Sequence, residues 1–148
     1  MKRYHYTECG LDNVVIAGAN FLTADDGEEV IVIPAAGKLH KAIAEGILKR
    51  DSAMSGKELR FLRTEMGMTQ AQLAQYLHRD VQTVARWEKG EVSLDGNAET
   101  LVRLLASEKL QIPLDTDMTS LSRWSTPSAG ARNIIIEARG GSYYPKAA

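Results

Sequence analysis

Apolar residues change their spacing along this chain, and each change predicts a different element. Residues 14–22 and 29–33 are rich in Val and Ile and flank Thr23-Ala24-Asp25-Asp26-Gly27-Glu28, a turn cluster with an Asp-Gly pair. This predicts two strands joined by a loop. Pro34 ends the second strand. From Ala36 to Lys49, Leu39, Ile43 and Ile47 recur every four residues, on one face of a helix. The first third therefore reads as a small β-β-α unit. Asp51-Ser52-Ala53-Met54-Ser55-Gly56 reads as a short linker.

Residues 57–109 carry four helical patterns and no strand signal. The first, Lys57–Glu65, turns Leu59 and Leu62 inward and stops at Gly67. The second opens at Thr69, with Gln72 three residues on, a capping box. Its inward residues are Leu73, Ala74 and Leu77. The third follows after His78-Arg79-Asp80, with Asp80 placed to accept hydrogen bonds from the next turn. Val84 and Trp87 face inward, and Gly90 closes the helix. The fourth, near Ala98–Lys109, is expected to bury Leu101, Leu104 and Leu105.

From Gln111 on, Pro113, Ser125-Thr126-Pro127-Ser128-Ala129-Gly130 and Gly140-Gly141 are loop signals. Asn133–Ala138 contains Ile134-Ile135-Ile136, a strand too apolar to lie at an exposed edge. It is expected to pair with the N-terminal hairpin or with another chain.

The fold class is thus α+β: a β-β-α unit over 1–52, an all-α domain of four to five helices over 53–110, and an extension over 111–148. That extension holds a strand at 133–138 and is a candidate dimerisation arm.

Composition narrows the function. With 44% hydrophobic and 25% charged residues the chain has a normal globular balance. Its net charge of −1 means that any nucleic-acid surface is a local patch. A single cysteine, Cys9, excludes an internal disulfide and any Cys-pair zinc site. The basic N-terminus has no apolar run behind it, and no apolar stretch is long enough to span a bilayer. These features point to a cytoplasmic protein without membrane contact.

Two short helices around a three-residue turn match helix-turn-helix geometry, in which the second helix enters the major groove. The stretch from Met68 to Gly90 resembles the Cro/C1 (Xre) repressor family. The resemblance rests on Thr-Gln at 69–70, Leu-Ala at 73–74 and Arg-Trp-Glu-Lys-Gly at 86–90, and covers roughly 56–109. It implies that Gln82 and Arg86, with Val81 and Thr83 beside them, read base edges. Arginine suits guanine O6 and N7, glutamine suits adenine N6 and N7, and valine suits a thymine methyl. Thr69, Gln70, Arg79, Lys89 and Ser93 fall where phosphates are contacted, which sets register. Gln70 would also brace the third helix. The family usually has Gly at the position of His78 and an apolar residue at Arg79. His78 would therefore adopt a left-handed conformation, and Arg79 would point outward.

The whole layout, starting at Tyr4-His5-Tyr6-Thr7-Glu8-Cys9-Gly10-Leu11, resembles MqsA-type antitoxins. Those commonly carry two zinc-binding Cys pairs, which this chain lacks. His5, Cys9 and His40 are read as surface or core residues rather than as a metal site, since metal sites need several converging ligands. No cofactor is expected. Catalysis has no support: there is no Gly-rich phosphate loop, His-Glu-x-x-His or Gly-x-Ser-x-Gly. The acidic pairs Asp25-Asp26 and Glu28-Glu29 sit in a turn. The sequence reading is a non-enzymatic, double-stranded DNA-binding repressor, dimeric on a palindromic site. The alternatives are an antitoxin that also holds a cognate toxin, and a protein- or RNA-binding adaptor on the same scaffold.

Overall fold

The computed structural model describes residues 2–125 and 133–146. The architecture is mixed α+β, as expected from the pattern. Two units divide the chain: residues 1–46 with 133–148, and residues 47–132.

In the first unit, β1 (Arg3–His5), β2 (Val14–Ala17), β5 (Ile134–Arg139) and β6 (Ser142–Lys146) form a sheet in the order β1-β2-β5-β6. β5 runs parallel to β2, with Val14 beside Ile134 and Ile16 beside Ile136. These four side chains are buried, and alternation puts them on one face. Ile134–Ile136 therefore pairs within its own chain. Its other edge is taken by antiparallel β6, so pairing of this strand across chains is corrected. Pro145 sits in β6, an outer strand of this sheet, where a missing N–H is tolerated. Helix α1 (Ala36–Leu48) comes close to β5 at Gly46, where a β-carbon would lie 2.9 Å from Ile134 Cγ2.

The single strand expected over 14–22 is two strands, because Gly18 takes φ 78° and interrupts it. The second piece, β3 (Asn20–Thr23), pairs antiparallel with β4 (Glu29–Val32) as a separate hairpin. Its turn is the Asp-Gly cluster. Ala24 N–H bonds Glu28 O at 2.7 Å, Glu28 N–H bonds Asp26 Oδ1 at 3.0 Å, and Gly27 has φ 86°.

The second unit is helical: α2 (Gly56–Glu65), α3 (Gln70–Leu77), α4 (Val81–Glu88), α5 (Gly96–Leu110) and α6 (Met118–Trp124). Leu59, Leu62, Leu73, Ala74, Leu77, Val84 and Trp87 are buried as expected. α5 is rotated from its expected phase. Leu101 and Leu104 are 45% and 40% exposed and Leu105 is half-buried, while Glu99, Val102, Arg103 and Ala106 are buried. The cause is polar. Arg103 donates through Nη1 to Leu48 O (2.8 Å) and Arg50 O (3.0 Å), and through Nη2 to Ser52 O (2.6 Å) and Glu99 Oε2 (3.0 Å). A buried charge must be paired and hydrogen-bonded, and only this rotation brings Arg103 to those carbonyls. Burial pushes the Glu99 carboxyl up and the Arg103 guanidinium down, and each partner opposes the other's shift.

The same network overturns the linker reading of 51–56. Met54 N–H donates to Glu99 Oε1 at 3.1 Å, and Arg50 grips Glu58 through two bonds of 2.7 and 2.6 Å. Ser55 and Glu58 form a capping box on α2. Helix α6 was not expected from the sequence. It is short, Asp117 caps it by accepting from Ser120 N–H at 2.8 Å, and it buries Leu121. The loop expected over 125–130 lies, past Ser125, outside the described residues.

Candidate nucleic-acid interface

Two local devices, a capping box and a left-handed C-cap, frame α3 ahead of α4. At the start of α3, Thr69 Oγ1 accepts from Gln72 N–H (3.1 Å) and Gln72 Oε1 accepts from Thr69 N–H (2.9 Å). At its end, His78 adopts the left-handed conformation, φ 54° and ψ 45°, and its N–H reaches back to Gln75 O. This is the geometry a C-terminal glycine normally supplies, here taken by a residue with a β-carbon. At the start of α4, Asp80 occupies the cap position, but the expected side-chain cap is corrected. The Thr83 N–H that it would take is already bonded to Asp80 O at 3.0 Å.

α4 then has two faces. Val84, Trp87 and Glu88 are buried. Gln82 and Arg86 lie on the opposite side, both exposed, four residues apart and so one above the other. Val81 is exposed beside them and Thr83 is half-buried at the flank. The geometry thus brings Gln82 and Arg86 into one patch, with Val81 and Thr83 at its rim.

The residues expected at phosphates are placed differently from one another. Lys89 caps the C-terminal end of α4 and, like Ser93 beyond it, is exposed. The Thr69 hydroxyl is engaged in its capping box. Gln70 Nε2 donates to Glu88 Oε1 at 3.0 Å, which ties the start of α3 to the end of α4. Arg79 is paired: Nη2 lies 2.5 Å from Asp95 Oδ2, and the guanidinium carbon is 5.6 Å from the centroid of Trp87. Burial disfavours the Asp95 charge. The Ala98 amide, the Arg79 guanidinium and the Asn97 amide outweigh it, so the carboxyl titrates below its ordinary range.

Two residues that hold this site were missed in the sequence. Glu88 also accepts from Arg63 of α2, which donates a further bond through Nη1 to Met68 O at 2.9 Å. One arginine thus joins α2, the turn before α3, and α4. The signal was available in outline, since Glu88 closes α4 between Trp87 and Lys89, but nothing in the spacing links it to Arg63. Gly56 is the other. A β-carbon there would lie 2.0 Å from Trp87 O, so the first turn of α2 lies against the backbone end of α4.

The helix-turn-helix family model matches residues 59–106, the stretch that contains α3, the turn and α4. Residues 59–106 are a Cro/C1-type helix-turn-helix domain. No curated protein and no solved structure matches the chain. The domain implies DNA binding and a part in transcriptional regulation. Elsewhere, His5 Nε2 donates to Asp12 O (2.6 Å) and His40 Nε2 lies 3.1 Å from the Tyr6 hydroxyl. Among the described residues no three His, Cys, Asp or Glu side chains are grouped to hold a metal. No helix among them is long and apolar enough to cross a membrane.

Proposed function

We propose that the chain is a sequence-specific regulator of transcription that represses by occupying a palindromic operator as a homodimer. The observation that carries this reading is the patch formed by Gln82 and Arg86 on the free face of a helix whose other face is locked by Trp87 and Glu88. A rigid helix with two long polar side chains at its exposed centre suits base-edge recognition. Lys89 and Ser93 would add backbone contacts, and Gln70 would serve mainly as the brace. A single helix-turn-helix reads few base pairs, and two copies about 34 Å apart along one groove face supply the remainder. Residues 53–110 are taken as the DNA-binding part, and blocking of polymerase follows from occupancy.

A mobility-shift assay on duplex chosen from random sequence tests this. Arg86→Ala and Gln82→Ala should each weaken selected sites by about 1–3 kcal/mol while leaving the salt slope nearly unchanged. Wild-type protein that holds selected duplex no better than random duplex sinks the proposal.

A second reading, an antitoxin whose N-terminal unit also holds a toxin, is favoured by one feature. The β3–β4 hairpin presents Leu22, Val30 and Val32 to solvent, with Leu22 directly opposite Val30. Leu22→Lys should abolish retention of the product of an adjacent reading frame and leave operator binding intact. Retention unaffected by Leu22→Lys argues against that surface.

A further inference from the structure

The four-stranded sheet has a second face, opposite the one that buries Val14, Ile16, Ile134 and Ile136. Helix α1 approaches the buried face, where Gly46 lies against Ile134 and Pro145. Cross-strand partners share a face, so the register sets the residues of the second face in rows. Arg3, Ala17, Glu137 and Tyr144 stand side by side across the sheet, and His5, Val15, Ile135 and Lys146 form the next row. Arg139, two residues on from Glu137, lies on the same face by alternation.

Polarity is sorted across this face. The centre is apolar, with Val15 and Ile135 half-buried and Ala17 buried. The margins are basic and exposed: Arg3 on β1, Lys146 on β6, and Arg139 at the end of β5. From β1 to β6 is three strand spacings, about 14 Å. The carboxylate in these rows, Glu137, lies 3.7 Å from Arg139 Nε. Tyr144 is 44% exposed, and the guanidinium carbon of Arg139 is 4.3 Å from its ring centroid. The two side chains form a flat aromatic and cationic platform beside the apolar centre.

We infer that this face binds single-stranded nucleic acid, with bases on Tyr144 and on the Val15–Ile135 centre and phosphates at Arg3, Arg139 and Lys146. Unpaired bases stack on aromatic side chains while basic groups follow the backbone. A duplex keeps its base faces hidden, and its grooves admit a helix or a two-stranded ribbon rather than a four-stranded sheet. An acidic peptide would satisfy the basic margins and leave the platform and the apolar centre unused. The face belongs to the first unit and α4 to the second, so the inference does not rest on the operator reading.

Fluorescence anisotropy of the full chain with labelled uridine and thymidine strands of about 12 nucleotides tests this. Binding of either strand is expected, and the tighter of the two names the sugar recognised. Tyr144→Ala should weaken the complex about 10-fold, the loss of one stacked base, while Tyr144→Phe keeps the ring and should retain the affinity. Arg3→Gln and Lys146→Gln should each lower the slope of log affinity against log salt by about 0.7. Lys146→Gln, near the end of the outer strand, should do so with an unchanged melting temperature, which separates the effect from a folding defect. Arg86→Ala should leave strand binding as it is, and Tyr144→Ala should leave duplex binding as it is. The inference is overturned if neither strand binds, if Tyr144→Ala binds as well as wild type, or if Arg86→Ala abolishes strand binding. Polyglutamate that displaces the strand as readily as unlabelled strand also overturns it, in favour of an acidic protein. A chain that holds the strand but no selected duplex would count against the regulator reading alone.

Discussion

Arg63 and Glu88 meet fork to fork, Nε to Oε2 at 2.7 Å and Nη2 to Oε1 at 3.0 Å, with both side chains largely buried. Bidentate geometry is the strongest form an arginine–carboxylate pair takes. Here it fixes α4 to α2, while Gln70 fixes it to α3 through the same carboxylate.

Removing one partner leaves the other charge stranded. Glu88→Ala should lower stability by about 3 kcal/mol, read from urea unfolding. Arg63→Ala should cost a similar amount, and the double variant clearly less than their sum. Strict additivity would show that the pair does not act as a unit.

His78 holds a left-handed backbone that disfavours a β-carbon. His78→Gly should raise stability by about 0.5–1 kcal/mol, the relief of strain being partly offset by the looser unfolded chain. His78→Val should destabilise it. A lower melting temperature for the glycine variant would count against a strained turn.

Gly56 is set by close approach. Gly56→Ala drives a β-carbon into Trp87 O and should cost about 1–3 kcal/mol. Gly96→Ala is the control, since its β-carbon would stand 3.4 Å from Ser125 O, and its effect should stay within about 0.5 kcal/mol. Equal effects at both positions would refute the packing argument.

Asp95 makes part of the stability depend on pH. Its carboxyl titrates below the ordinary 3.8, against the pull of burial, because of the Ala98 amide and Arg79. A depressed folded value means that the charged form stabilises the fold. That contribution is complete above the ordinary value and fades as pH falls through the lowered one. Asp95→Asn keeps a capping oxygen and loses the ion pair. It should be less stable than wild type at pH 7, the gap closing below about pH 4. Urea midpoints that stay equally separated from pH 7 to pH 2.5 would contradict this.

Much of the recognition unit was legible because its signals are local. Thr69 with Gln72, the short turn at His78, and the four-residue step from Gln82 to Arg86 act over one or two helical turns, and the structure has each of them. Asp80 misled because its own carbonyl already satisfies the amide that its side chain would have capped.

What the sequence by itself determined was the α+β class, the helix positions from α2 to α5 and the exposed polar centre of α4. These follow from periodicity and capping, which neighbours along the chain control. Only the tertiary structure decided the rest. Partners distant in sequence set it: Arg103 with the carbonyls of 48, 50 and 52 turned α5 and put Leu101 and Leu104 outside. Parallel pairing with Val14–Ala17 gave Ile134–Ile136 its place. Such pairings depend on which buried charges and strand edges find each other in space, and residue spacing carries no record of that.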